Sequence, residues 1–332
     1  MKLDNAKIAI IGATGLVGEK ILGVMDERGM IPGELRLFAS SRSAGNIAKF
    51  AGLEIPVNSL SGRGTEDLDI AVIAAGLKVS KAWAPRLAKT GAIVIDKSSA
   101  FRRDPDCPLV MPPVNPEAVS DIPKNIIASP NCSTAGFVVA AAPLISRFGA
   151  PVRVDIATYQ AVSGAGRDAI EVLNNQRKGE PEQGPFPVPI FRNLIPQIGE
   201  EDEFGYNEEE RKLIAESRRI LNLPELDISA TAVRVPVDNC HSLAVTFEFA
   251  ESLKLPEVLA ALESAPALRL VKTGEIACPL AACGTDDVLA GRIRISPSND
   301  RVLSMFLVSD NLRRGAATNA VESVELVLER VL

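Results

Sequence analysis

Short apolar runs alternate with helical patterns along the first 130 residues. Runs of this kind, flanked by small turn residues, are typical of buried parallel strands. The predicted strands are Lys7–Ile11, Glu34–Phe38, Asp69–Ala74, Ala92–Ile95 and Ile126–Ala128, and the predicted helices are 19–29 and 78–90. This alternation builds a doubly wound parallel sheet, in which ligands bind at the carboxyl ends of the strands. The turns after Ile11, Ala74 and Ile95 are therefore expected to line one crevice.

The pattern changes in the second half of the chain, where alternating segments dominate. The predicted strands are 152–162, 230–237, 243–248, 288–295 and 302–308, and the predicted helices are 134–148, 167–178, 207–221, 256–265 and 316–332. These strands indicate a mainly antiparallel sheet. Residues 180–196 are dense in proline and phenylalanine, which predicts an irregular excursion. The fold class is therefore α/β, with a Rossmann-type parallel sheet followed by an α+β domain.

Composition narrows the class of protein. The chain has 332 residues, enough for two domains, and its 46% hydrophobic and 23% charged content is ordinary for a globular protein. A net charge of −6 without a cluster of Lys or Arg argues against nucleic-acid binding. Pro143, Ser146 and Arg147 interrupt the longest apolar stretch, so no membrane span is expected. The amino terminus lacks a signal-peptide pattern, and a cytoplasmic location is predicted.

The cysteine and histidine counts limit the redox and metal chemistry. Five cysteines at irregular spacing argue against a disulfide framework. Because His241 is the only histidine, one chain cannot build a metal site on histidines. Cys278 and Cys283 are able to ligate zinc, but no second pair stands at a matching spacing. No metal site is predicted.

A variant of the dinucleotide fingerprint follows the first strand. Its residues are Gly12, Ala13, Thr14, Gly15, Leu16, Val17 and Gly18. Gly12 and Gly15 allow a tight turn and a close approach of pyrophosphate, and Gly18 lets the following helix pack on the strand. Its position between a strand and a helix favours a dinucleotide site, and the alternative is a glycine-rich turn without a ligand.

The end of the second strand indicates which dinucleotide binds. A strand that binds NAD usually ends in an acidic residue, which bonds the ribose 2′-hydroxyl. Here the strand leads into Ser40, Ser41 and Arg42, which offer hydroxyls and a cation but no carboxylate. Such groups suit a 2′-phosphate, so NADP is predicted. The alternative is a solvated loop in which Arg42 points to water.

One cysteine lies at a position suited to nucleophilic chemistry. Cys132 follows the apolar segment 126–130 and precedes the buried helix predicted from Thr134. Its sulfur is therefore expected at or just before a helix amino terminus, where the dipole and free N–H groups favour a thiolate. The alternative is a buried, inert cysteine.

A nicotinamide cofactor, a thiolate and a histidine together suggest one reaction class. A thiolate adds to an aldehyde and a hydride passes to NADP, which leaves a thioester. In reverse, the thiolate displaces phosphate from an acyl phosphate. Both directions need an acid–base group with a pKa near neutrality, which an unperturbed histidine supplies. His241 lies at a strand end with Arg234 upstream, and its alternative is a histidine without a catalytic role.

These motifs resemble, in order and spacing, the bacterial aspartate-β-semialdehyde dehydrogenases over nearly the whole chain. The matching segments are 12–18, 98–105, 129–134, 159–166, 234–242 and 308–320. The most specific are Ser-Pro-Asn-Cys-Ser-Thr at 129–134, Arg-Val-Pro-Val at 234–237 and Ser-Asp-Asn-Leu-Arg-Arg-Gly-Ala-Ala at 309–317. The resemblance implies NADP-dependent, reversible reduction of L-aspartyl-4-phosphate to L-aspartate 4-semialdehyde with release of phosphate. That step leads toward lysine, threonine, methionine and diaminopimelate.

The resemblance also implies roles for individual residues. The catalytic residues are Cys132 as the nucleophile, His241 as the acid–base group and Gln160, which orients the acyl intermediate. The substrate-binding residues are Asn131, Arg102 for the phosphate, Arg234 for the carboxylate, Glu216 for the amine and Arg219 in place of a family lysine. The cofactor-binding residues are Gly12, Ala13, Thr14, Gly15, Leu16, Val17, Gly18, Ser40, Ser41, Arg42, Gly76, Ser163, Gly164 and Asn311. Because an arginine fork differs from a lysine point charge, phosphate handling is expected to differ.

The family fold implies a cofactor domain of residues 1–130 and 315–332. It also implies a catalytic and dimerisation domain of residues 131–314, in a homodimer. A sister acyl-phosphate or acyl-CoA reductase, of the N-acetyl-glutamyl-phosphate or malonyl-CoA type, is one alternative. Asn131 and the Glu216/Arg219 pair favour the aspartyl substrate. A non-catalytic scaffold of the same fold is the other alternative, but it is expected to lose the cysteine or the histidine, and this chain has both.

Overall fold

The computed structural model describes residues 1–61 and 63–332. Over these residues the chain divides into two units, Met1–Pro130 with Ala316–Leu332, and Asn131–Gly315. The division differs from the expected domain boundaries at Gly315, which lies in the second unit. Within the same ranges, no helix combines the length and the apolar composition that crossing a bilayer requires.

The secondary structure of the described residues comprises thirteen strands and eight helices, besides short 3₁₀ and π turns. The strands are β1 (Lys7–Ile11), β2 (Glu34–Ala39), β3 (Ile47–Phe50), β4 (Leu53–Ser59), β5 (Ile70–Ile73), β6 (Ile93–Asp96), β7 (Ile126–Ala128), β8 (Arg153–Gln160), β9 (Asp227–Arg234), β10 (His241–Glu248), β11 (Leu268–Leu270), β12 (Val288–Ser296) and β13 (Asn299–Ser309). The helices are α1 (Leu16–Glu27), α2 (Leu77–Lys89), α3 (Cys132–Phe148), α4 (Arg167–Arg177), α5 (Glu208–Ile220), α6 (Leu255–Glu263), α7 (Pro279–Ala282) and α8 (Thr318–Arg330).

A mostly parallel sheet forms the centre of the first unit. Among the described residues it has seven strands in the order β3-β4-β2-β1-β5-β6-β7, and only the β3–β4 hairpin is antiparallel. Successive side chains of a strand point to opposite faces. Accordingly, Ile8 and Ile10 of β1 join a core with α1 and α8, whereas Ala9 and Ile11 join a second core with α2. Helices on both faces explain why β1 and β5 are apolar without alternation.

The second unit is built on a mainly antiparallel sheet. In the part of the chain that the structure describes, its six strands lie in the order β11-β12-β13-β10-β8-β9. Buried and exposed residues alternate along β8, because α3, α5 and α6 pack on the sheet. Residues 180–196 form turns with an isolated bridge at Ile195, as the sequence predicts. The predicted fold class, a parallel Rossmann-type sheet plus an α+β unit, is confirmed.

Candidate active site

Cys132 is the first residue of α3, whose middle is almost entirely buried. Asn131 is the N-cap, and its Oδ1 accepts a 2.9 Å hydrogen bond from the Ser133 N–H. The thiol therefore lies in the first helical turn, where the partial positive charge of the helix end favours an anion. The side chain is partly exposed, so a reactant is able to reach it. The predicted placement of Cys132 at a helix amino terminus is confirmed.

The ends of three neighbouring strands bring Gln160, Arg234 and His241 together. Gln160 ends β8 and pairs with Arg234 at the end of the parallel strand β9. His241 begins the antiparallel neighbour β10, and its Nδ1 accepts a 3.1 Å hydrogen bond from the Ala161 N–H. The Arg234 guanidinium donates to the Ala161 carbonyl, with an Nη1–O distance of 2.6 Å. One residue of the backbone thus holds the arginine and the histidine side by side.

Three residues predicted to bind the cofactor lie beside this arginine and histidine. A Cβ added to Gly164 would lie 3.0 Å from Arg234 Nη1 and 3.2 Å from His241 Nε2, so both side chains pack directly on this glycine. Asn311 donates to Ser163 Oγ at 3.0 Å, and its Oδ1 accepts from the Cys240 N–H at 2.9 Å. Asn311 therefore fixes the backbone that leads into β10.

His241 is fully buried, and its Nε2 has no hydrogen-bond partner among the described residues. Because Nδ1 accepts from the Ala161 N–H, the neutral ring carries its proton on Nε2. Burial and the positive charge of Arg234 lower the pKa of His241 to about 3. The near-neutral pKa expected from the sequence is wrong for this ring. A buried N–H without a partner is costly, so Nε2 is a candidate hydrogen-bond donor to a bound molecule.

Glu209 is a candidate site residue that no sequence pattern indicated. Its Oε1 accepts hydrogen bonds from Asn131 Nδ2 at 2.8 Å and from Gln160 Nε2 at 3.2 Å. Burial lowers the pKa of the Arg234 guanidinium, and the nearby Glu209 and Cys132 oppose this shift. Lys212, three residues later on α5, places its Nζ 3.6 Å from Glu209 Oε2. The Glu209 carboxylate thus links Asn131, the N-cap of α3, to Gln160 at the end of β8.

Glu216 and Arg219 lie further along α5. Glu216 is buried, and its Oε2 accepts a 2.6 Å hydrogen bond from the Asn131 N–H. Arg219 is half-buried. Glu216, which was predicted to bind the substrate amine, therefore contacts the backbone N–H of Asn131. The carboxylate that contacts the Gln160 and Asn131 side chains is that of Glu209.

Gly315 packs directly against the candidate nucleophile. A Cβ added to this glycine would lie 2.6 Å from the Cβ of Cys132 and 3.0 Å from its Cα. Gly315 lies within a π-helical turn, Arg313–Ala317, and its N–H donates to the Asp310 carbonyl at 3.2 Å. A side chain at position 315 would overlap Cys132, so the glycine allows Cys132 to lie where it does.

We expect Gly315→Ala to lower kcat roughly 100-fold with a smaller change in KM, because a shift of about 1 Å in a reacting group has an effect of that size. Steady-state kinetics, together with the rate of thiol alkylation at Cys132, measure this effect. Gly23→Ala in α1 is the matched control, since a Cβ there meets no atom within 4 Å and the helix tolerates alanine. Equal activities of the two variants would contradict the positioning role of Gly315.

In the first unit, the predicted dinucleotide loop joins β1 to α1. Gly12 has a φ of +87°, and an added Cβ would lie 2.5 Å from the Ala74 carbonyl oxygen, so the turns after β1 and β5 touch. A Cβ on Gly18 would overlap the Gly12 carbonyl oxygen. Gly15 is the N-cap of α1 and has no side chain that could accept a hydrogen bond from the helix end. The helix end therefore presents backbone N–H groups without a capping side chain, which fits a bound pyrophosphate.

The remaining predicted site residues also lie in the first unit. Gly76 is the N-cap of α2, after β5. Ser40, Ser41 and Arg42 are exposed and directly follow β2. Arg102 is buried, and its Nη2 donates to the Lys97 carbonyl at 2.9 Å. Gly76 and the three residues after β2 therefore follow carboxyl ends of strands, where such sheets bind ligands.

A unit with a dinucleotide fingerprint and a second unit with a helix-terminal cysteine fit the class of semialdehyde dehydrogenases. Residues 7–122 match the family model "Semialdehyde dehydrogenase, NAD binding domain", and residues 141–314 match "Semialdehyde dehydrogenase, dimerisation domain". Aspartate-semialdehyde dehydrogenase of Aquifex aeolicus is 44% identical over 337 aligned positions, which cover 98% of this chain and 99% of the relative. The same enzyme of Synechocystis is 40% identical, with 98% of each chain covered.

Solved structures give the same result. Aspartate semialdehyde dehydrogenase II from Vibrio cholerae, in a crystal structure complexed with ASA, matches with a TM-score of 0.96 and 39% identity, covering 99% of both chains. A probable aspartate-semialdehyde dehydrogenase from Pseudomonas aeruginosa matches with a TM-score of 0.93 and 30% identity, covering 99% of this chain and 100% of that one. The chain belongs to the aspartate-semialdehyde dehydrogenase family, and the predicted resemblance is confirmed.

Proposed function

We propose that this protein catalyses the NADP-dependent, reversible conversion of L-aspartyl-4-phosphate to L-aspartate 4-semialdehyde and phosphate through a thioester on Cys132. The observation that carries the proposal is the hydrogen-bonded cluster in which Glu209 joins Asn131, next to Cys132, to Gln160. We propose that this reaction is a step in the synthesis of lysine, threonine, methionine and diaminopimelate.

The substrate's two charged groups fit two charged side chains of the cluster. Arg234 presents a buried guanidinium, which is suited to the α-carboxylate because an arginine fork matches carboxylate geometry. Glu209 presents a buried carboxylate close enough to interact with Arg234, which suits the α-ammonium group. A free ammonium group is absent from an N-acetylated substrate and from malonyl-CoA, so Glu209 favours the aspartyl substrate over these alternatives.

The pair Glu209 and Lys212 fits the family's glutamate–lysine spacing better than Glu216 and Arg219. A lysine stands three residues after Glu209, and the two side chains interact. Glu216 uses a carboxylate oxygen to hold the Asn131 N–H. We therefore assign the amine-binding role to Glu209 and a structural role at the start of α3 to Glu216.

We expect Glu209→Gln to raise KM for the semialdehyde roughly 10- to 100-fold, which corresponds to the loss of one charged hydrogen bond. Glu216→Gln keeps an oxygen acceptor for the Asn131 N–H, so its KM is expected to stay close to that of the wild-type protein. Steady-state kinetics with varied semialdehyde compare the two variants. A larger KM effect at Glu216 than at Glu209 would reverse the assignment.

The chemical step begins when the Cys132 thiolate adds to the aldehyde carbon, so that a carbon–sulfur bond forms and the carbonyl π electrons move to the oxygen. The Nε2–H of His241 donates a hydrogen bond to the oxygen that becomes negative, and the Gln160 side chain orients the adduct. Bound NADP would accept the hydride when the carbon–hydrogen bond of the adduct breaks, the carbonyl would re-form, and a thioester would remain on Cys132. Phosphate then attacks the thioester carbon, the carbon–sulfur bond breaks, and Cys132 leaves as a thiolate. Arg102 is assigned to the phosphate.

NADP is proposed over NAD because of the residues that follow β2. The strand ends at Ala39, and the exposed Ser40, Ser41 and Arg42 come next without an acidic residue. A carboxylate there would bond the ribose 2′-hydroxyl of NAD and repel a 2′-phosphate, whereas an arginine attracts it.

A single assay tests the reaction and the cofactor together. Purified protein is mixed with semialdehyde, phosphate and either NADP or NAD, and absorbance of the reduced nicotinamide is followed. Formation of NADPH that requires phosphate, at a rate above that with NAD, is the expected result. No reduced cofactor from semialdehyde, but activity with N-acetyl-glutamyl semialdehyde or with malonyl-CoA and NADPH, would replace the proposal with a sister reductase.

A second copy of this chain is the proposed partner of the second unit. The sheet face away from α3 carries a row of small and apolar residues that pair across the strands, Thr231, Ala157, Ala244 and Phe306. All four are at least partly exposed, and the unit matches a dimerisation-domain model. Sedimentation is expected to give twice the chain mass, and Ala157→Glu is expected to halve it. A wild-type monomer would contradict the dimer.

A further inference from the structure

The second unit contains a cluster of thiols that takes no part in the proposed reaction. Cys240 is buried, Cys283 is exposed, and the carboxylate of Asp310 is buried beside them. One donor atom from each of these residues lies within 4.8 Å of the others. In the sequence, no second pair at a matching spacing completes a site with Cys278 and Cys283. In the fold, two residues far apart in sequence take the place of that pair: Cys240, directly before β10, and Asp310, directly after β13.

We propose that Cys240, Cys283 and Asp310 form a binding site for Zn²⁺. Two thiolates and a carboxylate are a zinc-type donor set, because Ca²⁺ and Mg²⁺ prefer oxygen alone. Bonds of about 2.3 Å to sulfur and about 2.1 Å to oxygen would bring tetrahedral donors to within about 3.8 Å of one another. The donor atoms lie within 4.8 Å of one another without a metal, and rotation of the exposed Cys283 side chain would shorten that distance to the one a zinc site needs.

Backbone hydrogen bonds hold both cysteines against the segment that carries Asp310. The Gly284 N–H, directly after Cys283, donates to Asp310 Oδ2 at 2.9 Å. The Cys240 N–H donates to Asn311 Oδ1, also at 2.9 Å. Asp310 Oδ1 accepts hydrogen bonds from the Leu312 and Arg313 N–H groups, at 2.9 and 3.2 Å, whereas Oδ2 accepts the one from Gly284. Because a carboxylate oxygen has two lone pairs, Oδ2 keeps a second one with which to coordinate a cation. The three ligands are therefore held close before any metal arrives.

The backbone at Cys240 is a further observation at this position. Cys240 has a φ of +74°, a strained conformation for a residue with a side chain, and such strain is concentrated at functional sites. Cys278 is the N-cap of α7 and Cys283 its C-cap, so a third thiol lies at the other end of the same short helix.

The site would act on the proposed catalytic residues through the backbone. Cys240 directly precedes His241, and Asp310 directly precedes Asn311. A cation that joins Cys240 to Asp310 would therefore restrain the starts of both neighbouring segments.

The test titrates the full-length, reduced and chelator-washed protein with Zn²⁺ alone and with Co²⁺ as a spectroscopic probe. One equivalent of Zn²⁺ is expected to bind, and Co²⁺ is expected to give thiolate charge-transfer bands that Zn²⁺ removes. Cys283→Ser is expected to weaken Zn²⁺ binding at least tenfold, and because residue 283 is exposed the variant should fold. Cys132→Ala is the control, and it should keep the bands because the nucleophile is not a ligand.

The proposal is overturned if the protein binds no Zn²⁺ above the level of a chelator control. It is also overturned if Cys283→Ser binds Zn²⁺ as tightly as the wild-type protein, or if Cys132→Ala loses the bands. These outcomes are independent of the proposed reaction, because the metal titration needs neither semialdehyde nor NADP.

Discussion

Cys132→Ala is expected to abolish turnover while NADP still binds with unchanged affinity. Cys132 supplies the sulfur of the thioester, and an alanine at this position has no sulfur with which to form it. The dinucleotide loop, Gly12 to Gly18, belongs to the first unit, whereas Cys132 belongs to the second. NADPH formation measures the first effect, and calorimetric titration with NADP measures the second.

Cys107→Ala is the matched control for this prediction. Cys107 is buried in the α2 core of the first unit, so its loss is expected to reduce stability slightly and leave the reaction intact. Residual turnover by Cys132→Ala above the background rate would mean that the reaction does not pass through this sulfur.

His241→Ala is expected to lower kcat roughly 10²- to 10⁴-fold, the range found when a proton donor or an acid–base group is removed. The structure gives a more specific expectation for His241→Gln. Nε2 carries the proton in the neutral ring, and a glutamine amide is also able to donate a hydrogen bond. The glutamine variant should therefore retain more activity than the alanine variant. Thermal melting of both variants checks that the fold is kept.

If His241→Gln is as inactive as His241→Ala, proton transfer by the ring is required and a hydrogen bond alone is insufficient. That result would contradict the donor role and return His241 to the acid–base role expected from the family. Retention of full activity by His241→Ala would remove the residue from the mechanism.

Most of the fold could be predicted from the sequence because its strands are buried. In β1 and β5 the apolar run itself specifies a strand covered on both faces. The hairpin of β3 and β4 was missed, because these strands at the edge of the sheet are mostly exposed and Pro56 interrupts the second one. Their pairing depends on neighbours in the sheet rather than on a local pattern.

The candidate site was predictable where a local motif specifies a position. Cys132 lies at a helix start because a cap residue precedes it and a buried run follows, and both are visible in the sequence. Glu209 was missed because it is the middle one of three glutamates at a helix start, a pattern explained by the helix dipole alone. Its contact with Asn131 joins residues 78 positions apart, which no local pattern reveals.

The pKa of His241 was wrongly predicted for a similar reason. A lone histidine in a turn has no sequence signal for complete burial or for an arginine beside it. Both come from the convergence of β8, β9 and β10, which places the ring between Ala161, Gly164 and Arg234. The residue types were visible in the sequence, but the protonation state depended on tertiary packing.

The covalent step is the central claim, and mass spectrometry tests it directly. The protein is mixed with semialdehyde and NADP without phosphate, quenched in acid, digested and analysed for peptide masses. The predicted result is an aspartyl group on the peptide that contains Cys132, formed together with one NADPH per chain. Formation of NADPH with Cys132 unmodified, or an aspartyl group on another residue, would contradict the account.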